Sequence, residues 1–235
     1  MVYLTSDLHG YPLNDFLQLL KQANFGHDDF LFILGDVTDR GEHGIELLKW
    51  IMLQPNVELI LGNHECMLLS CSFLFDEITD ETIDCFSEQN LRKISNWRAN
   101  GADPTLRDLQ RETADSRAAI LEYLQECPLY DAITVGGRDF MLVHGGLGEF
   151  SEDRPMSDYS ERELVWTRPQ IDTVYSKRFT TVFGHTPTAY YGEQYRGKCI
   201  ITDTWIDIDT GKAFGLHPML LRLDDLQEFY PKENI

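Results

Sequence analysis

The stretch Phe30-Leu31-Phe32-Ile33-Leu34-Gly35-Asp36-Val37-Thr38-Asp39-Arg40-Gly41 decides the fold. Five consecutive apolar residues are too short for a helix with one wet face and suit a strand buried on both faces. Gly35-Asp36 ends the run, and the charged cluster behind it belongs to a loop. The same grammar recurs on either side. Val2–Ser6 runs into Asp7-Leu8-His9-Gly10, and Val57–Leu61 into Gly62-Asn63-His64-Glu65. Between these strands, Leu13, Phe16, Leu17 and Leu20 recur at helical spacing over residues 12–24, with Pro12 near the first turn, and Ile45, Leu48 and Ile51 carry a second apolar stripe. Strand alternating with helix predicts βαβ units on a parallel sheet, an α/β fold.

Residues 66–127 break the alternation. They are polar, helix-prone and poor in strand runs, with an internal break at Gly101-Ala102-Asp103-Pro104. They read as a helical insertion within a single domain, residues 1–235, because strands resume afterwards. Phe140–Val143 ends at His144-Gly145-Gly146, and Thr180–Phe183 at Gly184-His185-Thr186-Pro187. Cys199–Thr202, Trp205–Ile208 and Met219–Leu223 complete a second strand-rich half, and residues 224–235 read as a polar tail.

Composition narrows the partners. The 235 residues carry 20 Lys+Arg against 39 Asp+Glu, a formal charge of −19, with an ordinary globular 43% of hydrophobic residues. Such a surface repels polyanions, so nucleic acid and anionic membrane are disfavoured as partners. The N-terminus lacks a basic, apolar leader and no window reaches transmembrane length, which predicts a cytoplasmic protein. Five cysteines (66, 71, 85, 127 and 199), odd in number and without a Cys-x-x-Cys pair, are expected as free thiols.

The chemistry collects where strands end. Asp7/His9, Asp36/Asp39/Arg40, Asn63/His64, His144 and His185 all follow strand C-termini, the edge at which open α/β sheets bind ligands. One Asp after a strand is ordinarily a turn former, and one His an ordinary satisfied polar residue. Here four of the seven histidines share that edge, three of them beside Gly and His64 between Asn63 and Glu65. Carboxylate, imidazole and amide donors without thiolate suit two hard-to-borderline divalent ions such as Mn, Fe or Zn. Asp7, His9 and Asp36 would take one ion, Asp36, Asn63, His144 and His185 the other, with Asp36 shared. His64, next to a ligand but not needed as one, is a candidate general acid, with Asp39 orienting its ring. Arg40 and Arg168 are candidates for bidentate phosphate contacts.

Those segments, in order and spacing, resemble the signatures of calcineurin-like metallophosphoesterases. The Asp39-Arg40-Gly41 and Asn63-His64-Glu65 forms are similar to the serine/threonine phosphoprotein phosphatase branch. His144-Gly145-Gly146 and Gly184-His185-Thr186-Pro187 resemble its later metal motifs. Val165-Trp166-Thr167-Arg168 resembles the segment of bacterial and phage lambda phosphatases that carries a second phosphate-binding arginine, and Ile206–Gly211 a late strand and turn. Ser6 departs from the Gly often found before the first Asp, without changing a ligand.

The resemblance implies a four-layer α-β-β-α sandwich and a dinuclear, commonly manganese, centre held by Asp7, His9, Asp36, Asn63, His144 and His185. It further implies in-line attack by a metal-activated hydroxide without a phosphoenzyme, His64 and Asp39 as acid pair, and Arg40 and Arg168 on the phosphate. The expected substrate is a phosphorylated protein or a small phosphomonoester. The alternative is a symmetrical dinucleoside tetraphosphatase or another nucleotide phosphohydrolase, against which Asp39, Arg40 and Glu65 weigh. A non-catalytic module is disfavoured because no ligand or acid is missing.

Other residues carry blander expectations. His27, His43 and His217 are expected at the surface or in structural roles, Glu65 as support for its helix, and Asp203, Asp207 and Asp209 as turn formers or outer hydrogen-bond partners. Arg92, Lys93, Arg98 and Arg107 are expected on a solvated face, and Tyr190 and Tyr191 as packing aromatics beside the cleft.

Overall fold

The computed structural model of the protein describes residues 1–75 and 87–232. Strands β1 (Val2–Thr5), β2 (Phe30–Leu34) and β3 (Val57–Ile60) run parallel, as the alternation predicts. Helices α1 (Leu13–Gln22) and α2 (Gly44–Met52) make the crossovers. A second half contributes β4 (Tyr130–Val135), β5 (Arg138–Val143), β6 (Thr180–Phe183), β7 (Ile200–Ile201), β8 (Trp205–Asp207), β9 (Leu220–Arg222) and β10 (Gln227–Phe229). The sheets are ordered β10-β9-β1-β2-β3 and β4-β5-β6-β8-β7.

The period of two along β2 explains the layering. Phe32 and Leu34, with Leu4 and Ile60, point into an apolar layer shared with Phe140, Leu142, Val182 and Ile206 of the other sheet. Leu31 and Ile33, with Tyr3 and Leu59, face the helices and pack with Phe16, Leu19 and Leu48. Both faces of the first sheet are therefore buried, one by the second sheet and one by helices, the α/β sandwich expected of this pattern.

Residues 63–126 outside the undescribed 76–86 are helical: α3 (Asn63–Ser70), α4 (Glu88–Ala99), α5 (Asp103–Arg111) and α6 (Ala114–Glu126), with α7 (Glu161–Trp166) later. Ser87 and Thr113 cap α4 and α6 by accepting from the amides of Asn90 and Ser116. Trp97, Leu109, Ile120 and Leu124 are buried and tie this segment to the main core.

The tail differs from expectation. Gln227–Phe229 adds an antiparallel edge strand to β9, Phe229 lies 6.2 Å from the ring of Tyr3, and the Tyr230 hydroxyl accepts from the Cys199 amide at 3.0 Å. Three residues are too few to show a period, so the pattern could not announce them. The hairpin strand β4, joined to β5 at Gly136-Gly137, is likewise new. Cys66, Cys71, Cys127 and Cys199 are free thiols, while Cys85 lies outside the described residues. No helix among the described residues is long and apolar enough to cross a membrane.

Candidate active site

Each strand end delivers one donor to a common cleft. Asp7 follows β1, Asp36 follows β2, Asn63 opens α3 after β3, His144 follows β5 and His185 follows β6. Backbone bonds fasten the loops together: Asp7 N donates to Gly35 O at 3.0 Å, His9 N to Asp36 O at 2.8 Å, and Gly184 N to His144 O at 2.9 Å. Nine described non-glycine residues have positive φ, and six of them are Asp7, His9, Asp36, Asp39, Arg40 and His185. That conformation costs about 1–3 kcal/mol each, so its concentration here marks where the fold holds side chains against local preference. Gly62 and Gly184 are needed for contact distance instead, since a Cβ there would collide with the carboxylates of Asp36 and Asp7.

Glu65 is the fastener beneath the site. Its buried carboxylate accepts from the amides of Asp36 (2.8 Å), Val37 (3.0 Å), Thr38 (3.1 Å) and Gly62 (3.2 Å), and from the Thr38 hydroxyl (2.9 Å). It holds the β2 loop against the start of α3 and does not line the cleft.

The donors cluster around Asp36. His9, Asp36 and His64 offer atoms within 4.8 Å of one another, as do Asp36, His144 and His185. His144 Nε2 lies 3.3 Å from Asp36 Oδ1 and 3.0 Å from Asn63 Oδ1, while His9 Nε2 lies 3.8 Å from Asp7 Oδ1 and 3.7 Å from Asp36 Oδ2. Asp7 Oδ2 accepts from the His185 amide at 2.9 Å, leaving its other oxygen for the cleft. The structure thus brings all six expected ligands together around a shared Asp36.

The protein's own field leaves this cluster short of positive charge. Burial pushes the Asp7 carboxyl up to about 6, with Asp36 adding repulsion against the pull of His144. Asp207 and Asp209 rise well above the carboxylate range, mainly through burial and then through carboxylate neighbours. Burial opposes charge on Asp36 too, but His144 and His64 outweigh it and hold Asp36 well below the usual range. Burial also disfavours charge on His144, yet Asp36 reverses this and lifts it to about 10. His185 falls to about 2, through burial and then His144. Its buried Nε2 has no hydrogen-bond partner in the protein. A neutral, unpartnered imidazole beside crowded carboxylates is what a divalent cation completes, so the donor set fits metal.

Of the remaining expected residues, His64 and Asp39 are buried beside this cluster, while Arg40 and Arg168 reach the cleft. His64 Nδ1 donates to Asp39 Oδ2 at 2.6 Å. Burial works against the His64 imidazolium, but Asp36 and Asp39 together raise it above its ordinary range. Arg40 donates toward His9 Nε2 at 3.0 Å and His64 Nε2 at 3.2 Å. Arg168 donates to His185 O at 2.9 Å, and both arginines line the cleft.

Sequence reasoning missed two buried residues that support Asp39. From the helical segment, Trp97 Nε1 donates to Asp39 Oδ2 at 2.8 Å, and the Thr105 hydroxyl donates to Asp39 Oδ1 at 2.7 Å while lying 2.9 Å from the Asp39 amide, which donates to it. A Trp alone in a polar helix was the available signal, since such a residue seeks both burial and a partner for its N–H. Asp209 also lines the cleft, while its Oδ1 accepts from the Gly211 amide at 2.8 Å in the expected turn role.

Tyr190, expected as a packing aromatic, instead stands exposed and lines the cleft, while other blander expectations fit the geometry. His27 is exposed and His43 pairs with Glu46. Arg92, Arg98 and Arg107 meet surface carboxylates of Glu88, Asp103 and Glu42.

A family model described as calcineurin-like phosphoesterase matches residues 1–205. The symmetrical bis(5'-nucleosyl)-tetraphosphatase of Chromobacterium violaceum is 38% identical over 86 residues, covering 35% of this chain and 31% of that protein. The enzyme of the same name from Acidovorax ebreus is 28% identical over 167 residues, covering 70% of this chain and 50% of that protein. This chain therefore spans only part of the length of those curated relatives. A solved structure assigned provisionally as a diadenosine tetraphosphatase superposes with a TM-score of 0.66 at 19% identity, over 100% of this chain and 94% of that one, which speaks for the fold. Motif order, sheet architecture and the matched residues agree: the chain belongs to the calcineurin-like phosphoesterase family.

Proposed function

We propose that the protein is a metal-dependent phosphohydrolase of nucleoside polyphosphates, acting on a dinucleoside tetraphosphate or a close relative. The observation that carries the phosphohydrolase reading is the pair of donor groups sharing Asp36 beneath Arg40 and Arg168. The nucleotide assignment draws support from the names of the curated relatives, which favour the alternative over the phosphoprotein reading. Glu65, which weighed against it, is buried under the loops and makes no contact that a substrate would feel. Asp39 and Arg40 serve any phosphorus centre and do not distinguish an ester from an anhydride.

Asp7, His9, Asp36, Asn63, His144 and His185 would hold two divalent ions, manganese being the first choice. When bound, these supply Lewis-acid charge neutralisation and an activated water. Arg40 and Arg168 would grip the non-bridging oxygens, because an anionic phosphate outcompetes the imidazole nitrogens and carbonyl that they now contact. Asp39 keeps the His64 ring oriented, so that Nε2 can pass a proton to the departing oxygen.

The test is a comparison on manganese-reconstituted protein of diadenosine tetraphosphate with a phosphoserine peptide. The expected outcome is metal-dependent release of nucleoside diphosphate at the higher kcat/KM. Turnover of the peptide with the nucleotide left intact would return the protein to the phosphoprotein phosphatase reading.

A further inference from the structure

We infer that Phe214 and Tyr190 form a subsite for an aromatic base carried on the phosphate chain, an assignment that rests on the nucleotide reading above. Among the described residues, the aromatic side chains that stand exposed are Trp166 (37%), Tyr190 (62%) and Phe214 (55%). All three line the cleft that holds Asp7, Asp36, Arg40 and Arg168. An exposed ring forgoes the burial that drives folding, and convergence of three on one polar cleft points to a ligand with an apolar face.

The dimensions say which part of a ligand goes where. The cleft encloses about 70 Å³, far below the size of pockets that engulf a drug-sized molecule. A phosphate group fits such a floor, whereas a nucleoside must rest on the rim, where the rings are. Tyr190 lies within the short turn Thr188–Tyr191 after His185, and Phe214 closes the turn Lys212–Phe214 after Asp209. Their centroids are 6.0 Å apart with planes inclined at 59°, an open wedge rather than a stacked pair. The Arg168 guanidinium lies 5.6 Å from the Tyr190 centroid, so one cation spans from phosphate floor to aromatic wall. Trp166 stands edge-on to His185 at 5.7 Å and belongs to the floor side of the same wall. A planar base with a phosphate chain matches both surfaces at once, and base–aromatic stacking tolerates any base because each has a π-face.

Phe214→Ala is the decisive variant, since its ring meets Tyr190 and carries no charge or donor for phosphate, and Tyr190→Ala is the second. On manganese-loaded protein, equilibrium binding of ADP and of pyrophosphate is measured by tryptophan fluorescence and calorimetry, alongside KM for diadenosine tetraphosphate. Phe214→Ala is expected to weaken ADP and raise KM by about tenfold or more, to leave pyrophosphate affinity within error, and to be rescued by Phe214→Tyr. Equal losses for ADP and pyrophosphate, or no loss for either, would overturn the subsite. Wild-type protein that binds pyrophosphate but neither binds ADP better nor hydrolyses the dinucleotide would instead overturn the nucleotide reading, and the subsite with it.

Discussion

The two banks of the cleft are built on opposite terms. On the acid bank every polar group is spoken for: both Asp39 oxygens, the His64 Nδ1–H, the Trp97 N–H and the Thr105 hydroxyl are satisfied within the protein. On the facing bank His185 Nε2, Thr188 Oγ1 and Asp207 Oδ2 have no partner, and Asp7, Asp207 and Asp209 are held toward neutrality by burial. One bank is organised by the chain itself, so its geometry should survive metal removal. The other is organised by what it binds, so its energetics should invert when cations arrive.

Asp36, common to both donor groups, is where the comparison breaks most completely. Asp36→Asn should cut turnover by roughly 10⁴-fold or more, because loss of the shared ligand forfeits several kcal/mol of charge stabilisation. Metal analysis should show bound manganese falling below that of wild type. Two retained ions per chain at wild-type affinity would refute the shared-ligand role.

His64→Asn separates the banks. It should leave metal content intact while slowing alkyl phosphate hydrolysis by about 10²–10³-fold. An anhydride should suffer far less, because a departing nucleoside diphosphate needs little protonation. Equal losses on both substrate types would place His64 among the ligands, in line with its atoms lying within ligand distance of His9 and Asp36.

Trp97→Phe probes how the acid bank is held. The ring remains packed and the N–H to Asp39 is lost, so kcat on an alkyl phosphate should fall by about tenfold, the lower end for removal of an orienting partner of a site residue, with KM unchanged. Thr105→Ser should behave as wild type and Thr105→Val as Trp97→Phe. A drop in KM and kcat together, or none, would reduce Trp97 to core packing.

The contrast also accounts for what the sequence disclosed. The open bank and the candidate ligands sit directly after strands, so a strand run followed by Asp, Asn or His exposes them; Asp7, Asp36, Asn63, His144 and His185 are all legible this way as candidates. The support of the acid bank was not. Trp97 and Thr105 act across 58 and 66 residues of chain, from helices whose docking no local period encodes. Glu65 was legible as structural, but its reach to three amides of the β2 loop depends on how α3 meets β2, which is tertiary geometry. The edge strand at Gln227–Phe229 escaped because its three residues borrow stability from Tyr3 and Tyr230 contacts.

The smallest expected effect tests the open bank alone. A carboxyl whose native pKa lies above its unfolded value binds its proton more tightly when folded, so native stability falls as pH climbs from the ordinary carboxylate range toward the raised value. Asp209 is such a group. Asp209→Asn keeps an acceptor for the Gly211 amide and titrates nothing, so in chelator it should match wild type near pH 4 and melt a few degrees higher by pH 7, each 1 kcal/mol being worth about 2–4 °C at this length. Manganese should erase or reverse that advantage, because cations reward the carboxylate that burial penalises. A stability difference that is the same at both pH values, with and without metal, would mean that Asp209 belongs to its turn and not to the bank that waits for cations.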